Sequence, residues 1–557
     1  MPLDERTARP TLISARSIRA GLNSLLGRDI VVLGVILVIA AATRFIGLAG
    51  RGDFDSDQGH DMLTLVRLVR DGQFPLLGPP TSIGDFHHGA AYYYLLAPFA
   101  WLSGADRAIG VMAGIAGFGV AAVGVTWWLG RSIGGRAVGA MAGLLLAISP
   151  AAIEESTFIW NPNPIPFFAA TSLAVAWRAK QTGRAAWWAV SVATAGMVVQ
   201  LHVLGIVFLP AIVAFLVVDA FRAFRAGERA RVRAAMRGLG AGLLIVALLF
   251  VPLLIHELQT GFLETQRFLA YLSTPGGHGT LDPAGRLLFA GLRVVGWPLI
   301  GLVTSAPVAS VLVVSLTVVL GAWLMLAGRG EDRFAARWLG LTIAWGIVAL
   351  SVLAPSLQTV VAGLPNDHYH AFLDPVVVIL VALALRAIGS GSGLDPAVDR
   401  VARGLVIGVL TALVVFDVGR WPPTTQVNGG WPLARDAGAR IVRLEPGATV
   451  DVRSLPAFKT GEGIGYPIEV AGGSADIAMD ETDARAPLRA GSTLVIVCDR
   501  LFETVIGDPC GGPAEDRYLR ELLGDGADRD GNAGDAAPAL IDRFDASPRT
   551  SISVYRP

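Results

Sequence analysis

The chain has 557 residues, of which 53% are hydrophobic and 16% charged, and its mean hydropathy is +0.56. A soluble globular protein carries roughly 25% charge, so this composition argues against a cytosolic enzyme and a disordered chain. The 45 basic and 45 acidic residues cancel, which leaves no basic field to hold a polyanion and argues against nucleic acid as a partner.

The charge is unevenly divided. Residues 420–557 carry 15 basic and 21 acidic side chains, and the rest of the chain 30 and 24. Only Lys180 and Lys459 are lysines, a bias of the kind high-GC bacterial genomes produce. In chain order, a basic tail (1–29) with Arg6, Arg9, Arg16, Arg19 and Arg28 lacks the cleavage pattern of a signal peptide. Apolar runs come next, near 30–48, 107–129, 137–153, 164–179, 186–202, 203–221, 238–256, 305–327, 338–355, 369–387 and 404–420. About 20 apolar residues cross a bilayer, where backbone groups must be satisfied internally. The expectation is a polytopic α-helical membrane protein of about 11 spans over 30–420. Two shorter helices, 60–71 and 90–102, would lie on the membrane surface within a first outer loop, 48–106.

Arg131 and Arg136, Arg178, Lys180 and Arg184, the six arginines between 222 and 237, and the later clusters up to Arg403 all alternate onto one side. That side is the cytoplasm. The N-terminus is then cytoplasmic. An odd number of spans sends residues 421–557 outside, as an extracytoplasmic domain that alternates β-like runs (448–452, 493–498, 551–555) with helical ones (433–444, 514–523). This reads as α/β or α+β, with a Gly/Asp-rich loop at 525–538. Cys498 and Cys510 both fall in this domain. Twelve residues apart, they permit a disulfide suited to an oxidising compartment, two separate buried thiols being the other reading.

The first outer loop reads Asp53-Phe54-Asp55-Ser56-Asp57-Gln58-Gly59-His60-Asp61. Carboxylates this close repel, so they call for compensation by water, cations or substrate; a solvated acidic loop is the bland alternative. Asp55, Asp57 and His60 have types and spacing that a divalent cation uses. No second dense ligand cluster is visible, and no metal residue is assigned. Further on, His87-His88-Gly89 precedes Tyr92-Tyr93-Tyr94. An interfacial aromatic belt accounts for the tyrosines but poorly for the histidines. All eight histidines (60, 87, 88, 202, 256, 278, 368 and 370) fall on the outer side of this topology, which suggests one outer cavity handling protons, phosphate or metal. Trp160, Asn161 and Asn163 stand among prolines 162, 164 and 166. They offer the stacking and hydrogen bonds that sugars use, or build a purely structural turn. Gln200-Leu201-His202 marks the turn between two spans.

These residues together resemble the GT-C glycosyltransferases, a superfamily that includes the lipid A aminoarabinose transferases and the protein O-mannosyltransferases. The likeness covers roughly residues 30–380. It rests on Asp57-Gln58, on His88-Gly89 with Tyr92–Tyr94, on Ile159-Trp160-Asn161-Pro162-Asn163 and on Gln200–His202. The resemblance implies a polyprenyl-phosphate sugar donor, an extracytoplasmic glycan, lipid or protein acceptor, and contact with membrane lipids. It implies Asp57 as the catalytic carboxylate, with Asp55 or Asp61 positioning it. Relatives often have Glu after the catalytic Asp, where this chain has Gln58. They also often have Lys or Arg in the third outer segment (365–374), where this chain has His368, Tyr369 and His370. His87, His88, His368 and His370, with Arg67, become the candidates for the donor phosphate. Tyr93, Trp160, Asn161, Asn163, Gln200, His202 and Tyr369 become the candidates for the remaining substrate contacts. The expected activity is inverting sugar transfer at the outer face of a bacterial cytoplasmic membrane. The rival is a lipid-linked-sugar flippase or transporter, which would place ionisable residues mid-membrane on broken helices.

Overall fold

The computed structural model describes residues 15–81, 85–273, 281–301, 303–354, 357, 369–390, 395–427, 429–488, 491–523 and 538–556. His278, His368 and most of the 525–538 loop lie outside them.

All eleven apolar stretches fall on helices. In chain order the helices are α1 (Ala15–Phe45), α2 (Ser56–Asp71), α3 (Ala91–Ser103), α4 (Ala108–Ile148), α5 (Pro150–Glu154), α6 (Ile165–Thr182) and α7 (Ala185–Leu201). Then come α8 (Leu209–Arg225), α9 (Arg229–Leu249), α10 (Val251–Thr260), α11 (Leu263–Ser273), α12 (Pro283–Ile300), α13 (Pro307–Ala327), α14 (Gly330–Leu353), α15 (Asp374–Gly389) and α16 (Pro396–Val418). Two expected spans share the long run of α4, broken at Gly135, whose φ of +82° an L side chain rarely adopts. Among the described residues, seven helical runs are long and apolar enough to cross a bilayer by length and composition. They are Ala108–Ile148, Val203–Arg225, Arg229–Leu249, Pro307–Ala327, Gly330–Leu353, Ala371–Gly389 and Pro396–Val418. The chain is a multi-pass membrane protein.

Helix α15 runs through the middle of the bundle, with Val376, Val377, Val378 and Ile379 fully buried. Helices α9 and α16 lie at the periphery and expose Leu243, Leu244, Leu405 and Ile407, as lipid-facing helices do. Arg44, at the end of α1, is buried. Its guanidinium donates to the carbonyls of Leu146 and Ala147 at 3.3 and 3.1 Å and to Ser156 Oγ at 2.8 Å. These are the orphan carbonyls at the C-terminus of α4, so one cation pins two helix ends. Helix α12 departs from expectation. Read as part of an outer loop, it packs against α13, α14 and α15 and buries Arg293 and Trp297.

The C-terminal domain is α/β. Its helices are α17 (Trp431–Leu444), α18 (Glu462–Val470), α19 (Glu481–Arg485), α20 (Glu503–Ile506) and α21 (Pro513–Leu523), and its strands are β1 (Thr449–Leu455), β2 (Ser474–Ile477), β3 (Thr493–Asp499), β4 (Ala539–Asp545) and β5 (Thr550–Arg556). The sheet order is β2-β1-β3-β5-β4, with β1 parallel to β2 and β3, and β5 antiparallel to β3 and β4. Side chains alternate along each strand. Val450, Val452, Val495, Ile552 and Val554 therefore face Ile441 of α17 and Ile464 and Ile468 of α18. Leu494, Ile496 and Cys498 face Ala514 of α21 on the other side. Cys498 and Cys510 are bonded, with Cα atoms 5.7 Å apart, and tie β3 to the segment leading into α21.

The domain sits directly on the segment between α1 and α3. A Cβ on Gly59 of α2 would lie 2.2 Å from the Glu462 carbonyl oxygen, and one on Gly463 would lie 2.8 Å from the carbonyl carbon of Asp55. The two helices meet backbone to backbone because both contact positions are glycine. The amphipathic pattern of α2 predicts a helix on the membrane surface. Its apolar face is covered by protein: α2 is held between α3 and α18, with Met62, Leu63 and Leu65 buried.

Candidate active site

Helix α2 begins at Asp55, its N-cap, in a capping box: the Asp55 carboxylate accepts from the Ser56 amide at 2.8 Å, and Gln58 Oε1 accepts from the Asp55 amide at 2.8 Å. Gln58 Nε2 donates to the Ile159 carbonyl at 2.9 Å. A glutamate in this place could not make that bond, since a carboxylate has no hydrogen to donate to the carbonyl.

Asp57, in the first turn of α2, is exposed and has no hydrogen-bond or ion-pair partner among the described residues. Its neighbours are all engaged. The Asp55 carboxylate meets Lys459 Nζ at 3.2 Å and Arg549 Nη2 at 2.9 Å. Burial works to raise Asp55, but the Lys459 and Arg549 charges and the Ser56 amide outweigh it and bring it to about 2. Arg549 is braced by Asp499 through contacts of 2.9 Å to Oδ1 and 2.5 Å to Oδ2. The Gln426 amide donates to Asp53 at 2.8 Å, and burial together with the Asp55 charge pushes Asp53 up to about 6. Asp61 is buried and accepts the hydroxyls of Tyr92 and Tyr93 at 2.8 and 2.9 Å. Burial raises it to about 7. Asp61 and Tyr93 thus clamp α2 to α3 and do not face solvent.

The cation set suggested by Asp55, Asp57 and His60 does not assemble. His60 Nδ1 turns to Glu462 at 2.9 Å, and Asp55 is taken by two side-chain cations. Among the described residues no three His, Cys, Asp or Glu side chains group as metal ligands.

Among the described histidines, His87 and His256 share the Glu264 carboxylate at 3.1 and 4.0 Å, whereas His60 turns to Glu462. His87 turns away from His60: its amide and Nδ1 face Glu264 Oε2 at 2.7 and 3.1 Å, and Arg267 meets the other Glu264 oxygen at 3.1 Å. That carboxylate ties α11 to the first loop. His88 is buried, accepts from the Val203 amide at 3.3 Å and lies 4.4 Å, ring to ring, from His202. Burial and the neighbouring His87 lower His88 to about 3. Burial thus works against the phosphate-cation role that the sequence suggested for His88. His370 is fully buried, edge-on to Trp297 at 5.5 Å. Arg67 is exposed on α2, with the Glu469 carboxylate of α18 within its field.

The aromatic motifs do meet. His202 stacks on Tyr369 at 4.1 Å, and Tyr369 approaches Trp160 at 6.0 Å, which stacks on Phe158 at 5.8 Å. With His88 they form one row running through four separate sequence motifs. The amides beneath are structural: Asn161 donates to the Leu201 carbonyl at 2.6 Å, Asn163 to the Phe158 carbonyl at 2.9 Å, and buried Gln200 accepts from the Ala91 amide at 3.4 Å. Gly89 packs so closely on Gln200 that a Cβ there would lie 1.9 Å from Oε1.

Sequence reasoning missed Lys459, Arg549 and Glu462 as members of this site. Lys459 is one of two lysines in the chain and precedes Thr460-Gly461-Glu462-Gly463, a composition that marks a close backbone approach. It also missed Glu154 and Glu155, which with Arg51, Asp53, Thr157 and Gln426 line a small cleft.

The chain matches no protein-family model and no curated protein. Solved structures are similar. The crystal structure of ArnT from Cupriavidus metallidurans bound to undecaprenyl phosphate superposes with a TM-score of 0.57 at 13% identity, covering 95% of this chain and 98% of that one. The apo state of the same protein gives 0.55 at 14% identity, with the same coverage. The apo oligosaccharyltransferase of Archaeoglobus fulgidus gives 0.52 at 13% identity, covering 85% of this chain and 70% of that one. The chain has the GT-C glycosyltransferase fold. Because the match to ArnT takes in 95% of this chain, the GT-C likeness includes most of the C-terminal α/β domain as well as the helical body.

Proposed function

We propose that this protein is an inverting glycosyltransferase that moves a sugar from a polyprenyl-phosphate donor to an acceptor on the extracytoplasmic face of a bacterial cytoplasmic membrane, with Asp57 as general base. The observation that carries the reading is the exposed, unpartnered Asp57 carboxylate at the start of α2, in a fold whose similar structures include one bound to undecaprenyl phosphate. In the reaction Asp57 takes the acceptor hydroxyl proton as that oxygen attacks the anomeric carbon. The bond from that carbon to the phosphate oxygen breaks, and polyprenyl phosphate leaves with the electron pair. A single displacement inverts the anomeric centre. The donor phosphate is already a good leaving group, so a base and ordered positions supply most of what the step needs. The lipid tail lies in a groove among the spans. The half-buried rings of Trp160 and Tyr369 are the part of that row open to a sugar.

The test is Asp57→Asn, assayed in membranes for transfer from a panel of undecaprenyl-phosphate hexoses and pentoses. Loss of a general base lowers turnover roughly 10²- to 10⁴-fold. Wild-type turnover with intact expression removes Asp57 from the role. Trans-bilayer movement of the lipid-linked sugar in proteoliposomes, with no glycosyl product, would instead favour a flippase.

A further inference from the structure

Asp57 stands two residues beyond the N-cap Asp55, and Asp55 is gripped from another domain. Lys459, in the loop between β1 and α18, reaches it at 3.2 Å, and Arg549, in the β4–β5 turn, at 2.9 Å. Arg549 is itself locked to Asp499 at the end of β3. Gly463 presses its backbone on the Asp55 carbonyl, and Glu462 holds His60 one turn further along α2. The charged groups around the first turn of α2 are thus Asp55, Asp57, His60 and Asp61 from the first loop, and Lys459, Arg549 and Glu462 from the C-terminal domain. Lys459 lies within the fields of both Asp55 and Asp57.

The first turn of a helix is its least constrained part, since its amides lack intrahelical partners. Here the capping box holds the turn from within, and contacts from outside the helix hold it against the rest of the site. Taking Asp57 as the base, on which the inference rests, we propose that Lys459 and Arg549 are positioning residues for the transfer: by gripping Asp55 they fix the first turn of α2, and with it the place of Asp57 at the reacting carbon. The active site is then built from two domains, and the helical body alone is incomplete.

The experiment uses the full-length protein in nanodiscs, with two readouts: turnover on the undecaprenyl-phosphate sugar that gives product, and equilibrium binding of undecaprenyl phosphate. A misplaced catalytic group costs roughly 10²-fold per ångström, so Lys459→Met is expected to lower kcat by about 10- to 100-fold. Donor KM and undecaprenyl phosphate affinity should stay within about threefold, and Lys459→Arg should restore most of kcat. Because Lys459 acts through Asp55, adding Lys459→Met to Asp55→Asn should cost little beyond Asp55→Asn alone. Lys459→Gln carries the same test if Lys459→Met disperses poorly. A raised KM or weakened lipid binding with kcat intact would make Lys459 a donor contact and overturn the proposal, as would unchanged kinetics. Asp57→Asn is run beside it. Full activity there sinks the base reading, whereas loss there with wild-type kinetics for Lys459→Met sinks only the positioning role.

Discussion

The imidazole of His60 meets the carboxylate of Glu462 at 2.9 Å, across 402 residues of sequence. One partner lies on the first outer helix and the other on the C-terminal domain, so this contact joins two parts of the chain that composition alone separates. Burial works to lower the His60 pKa, but the Glu462 hydrogen bond and charge outweigh it and raise it above its ordinary 6.5. A histidine whose pKa rises on folding stabilises fully below pH 6.5, and that contribution disappears as pH climbs through the raised value. The melting temperatures of wild type and His60→Gln should therefore differ more at pH 6 than at a pH above that window. An equal difference at both would mean the contact does not titrate.

The glycine pair under that contact should tolerate no side chain. A methyl at Gly59 would fall 2.2 Å from the Glu462 carbonyl oxygen, which is backbone and has no rotamer to escape into. Overpacking of this kind costs about 1–3 kcal/mol. Gly59→Ala should lower the melting temperature and open the α2–α18 boundary to limited proteolysis. Gly72→Ala is not a neutral control, because Gly72 has a φ of +66°, whereas Gly117, with nothing within 4 Å of a Cβ, is.

Tyr93→Phe removes one hydroxyl from a buried carboxylate. A hydrogen bond contributes about 0.5–1.5 kcal/mol, or about 1.5–3 kcal/mol when its acceptor is charged, and Asp61, raised to about 7, keeps only the Tyr92 hydroxyl at 2.8 Å. The expected result is a lower melting temperature with little change in donor KM. A large rise in KM at unchanged stability would restore Tyr93 to the substrate surface.

Cys498→Ser with Cys510→Ser should loosen the outer edge of the α/β domain. The bridge closes a twelve-residue separation, and native disulfides typically contribute about 2–4 kcal/mol. Hydrogen exchange at β3 and α21 should rise while α2 and the spans keep their protection. Protection unchanged throughout would show that packing on Ala514 suffices.

Much of the fold is legible in the sequence. Bilayer physics makes long apolar runs helical, so the helices can be read from them, although among the described residues seven runs, against about eleven expected, are long and apolar enough to span; short β-like runs mark β1, β3 and β5. The order of the Asp57, Trp160, His202 and Tyr369 motifs points to an outer face, and three of the four lie in one aromatic row. The features that escape are non-local. Arg293 and Trp297 make α12 read as a polar outer segment, because a short sequence does not reveal that other helices will cover it. His88 reads as a candidate cation because imidazole titrates near neutrality, whereas its burial and the neighbouring His87 push its pKa down. Lys459, Arg549 and Glu462 carry no motif, and only the docking of the α/β domain brings them to α2.

The most direct measurement is a structure of this protein with undecaprenyl phosphate. The phosphate is expected at the outer end of the bundle, within reach of the start of α2 that carries Asp57, with the tail running down among the spans. A head group at the opposite end of the bundle, among Arg222 and Arg337 on α8 and α14, would contradict it.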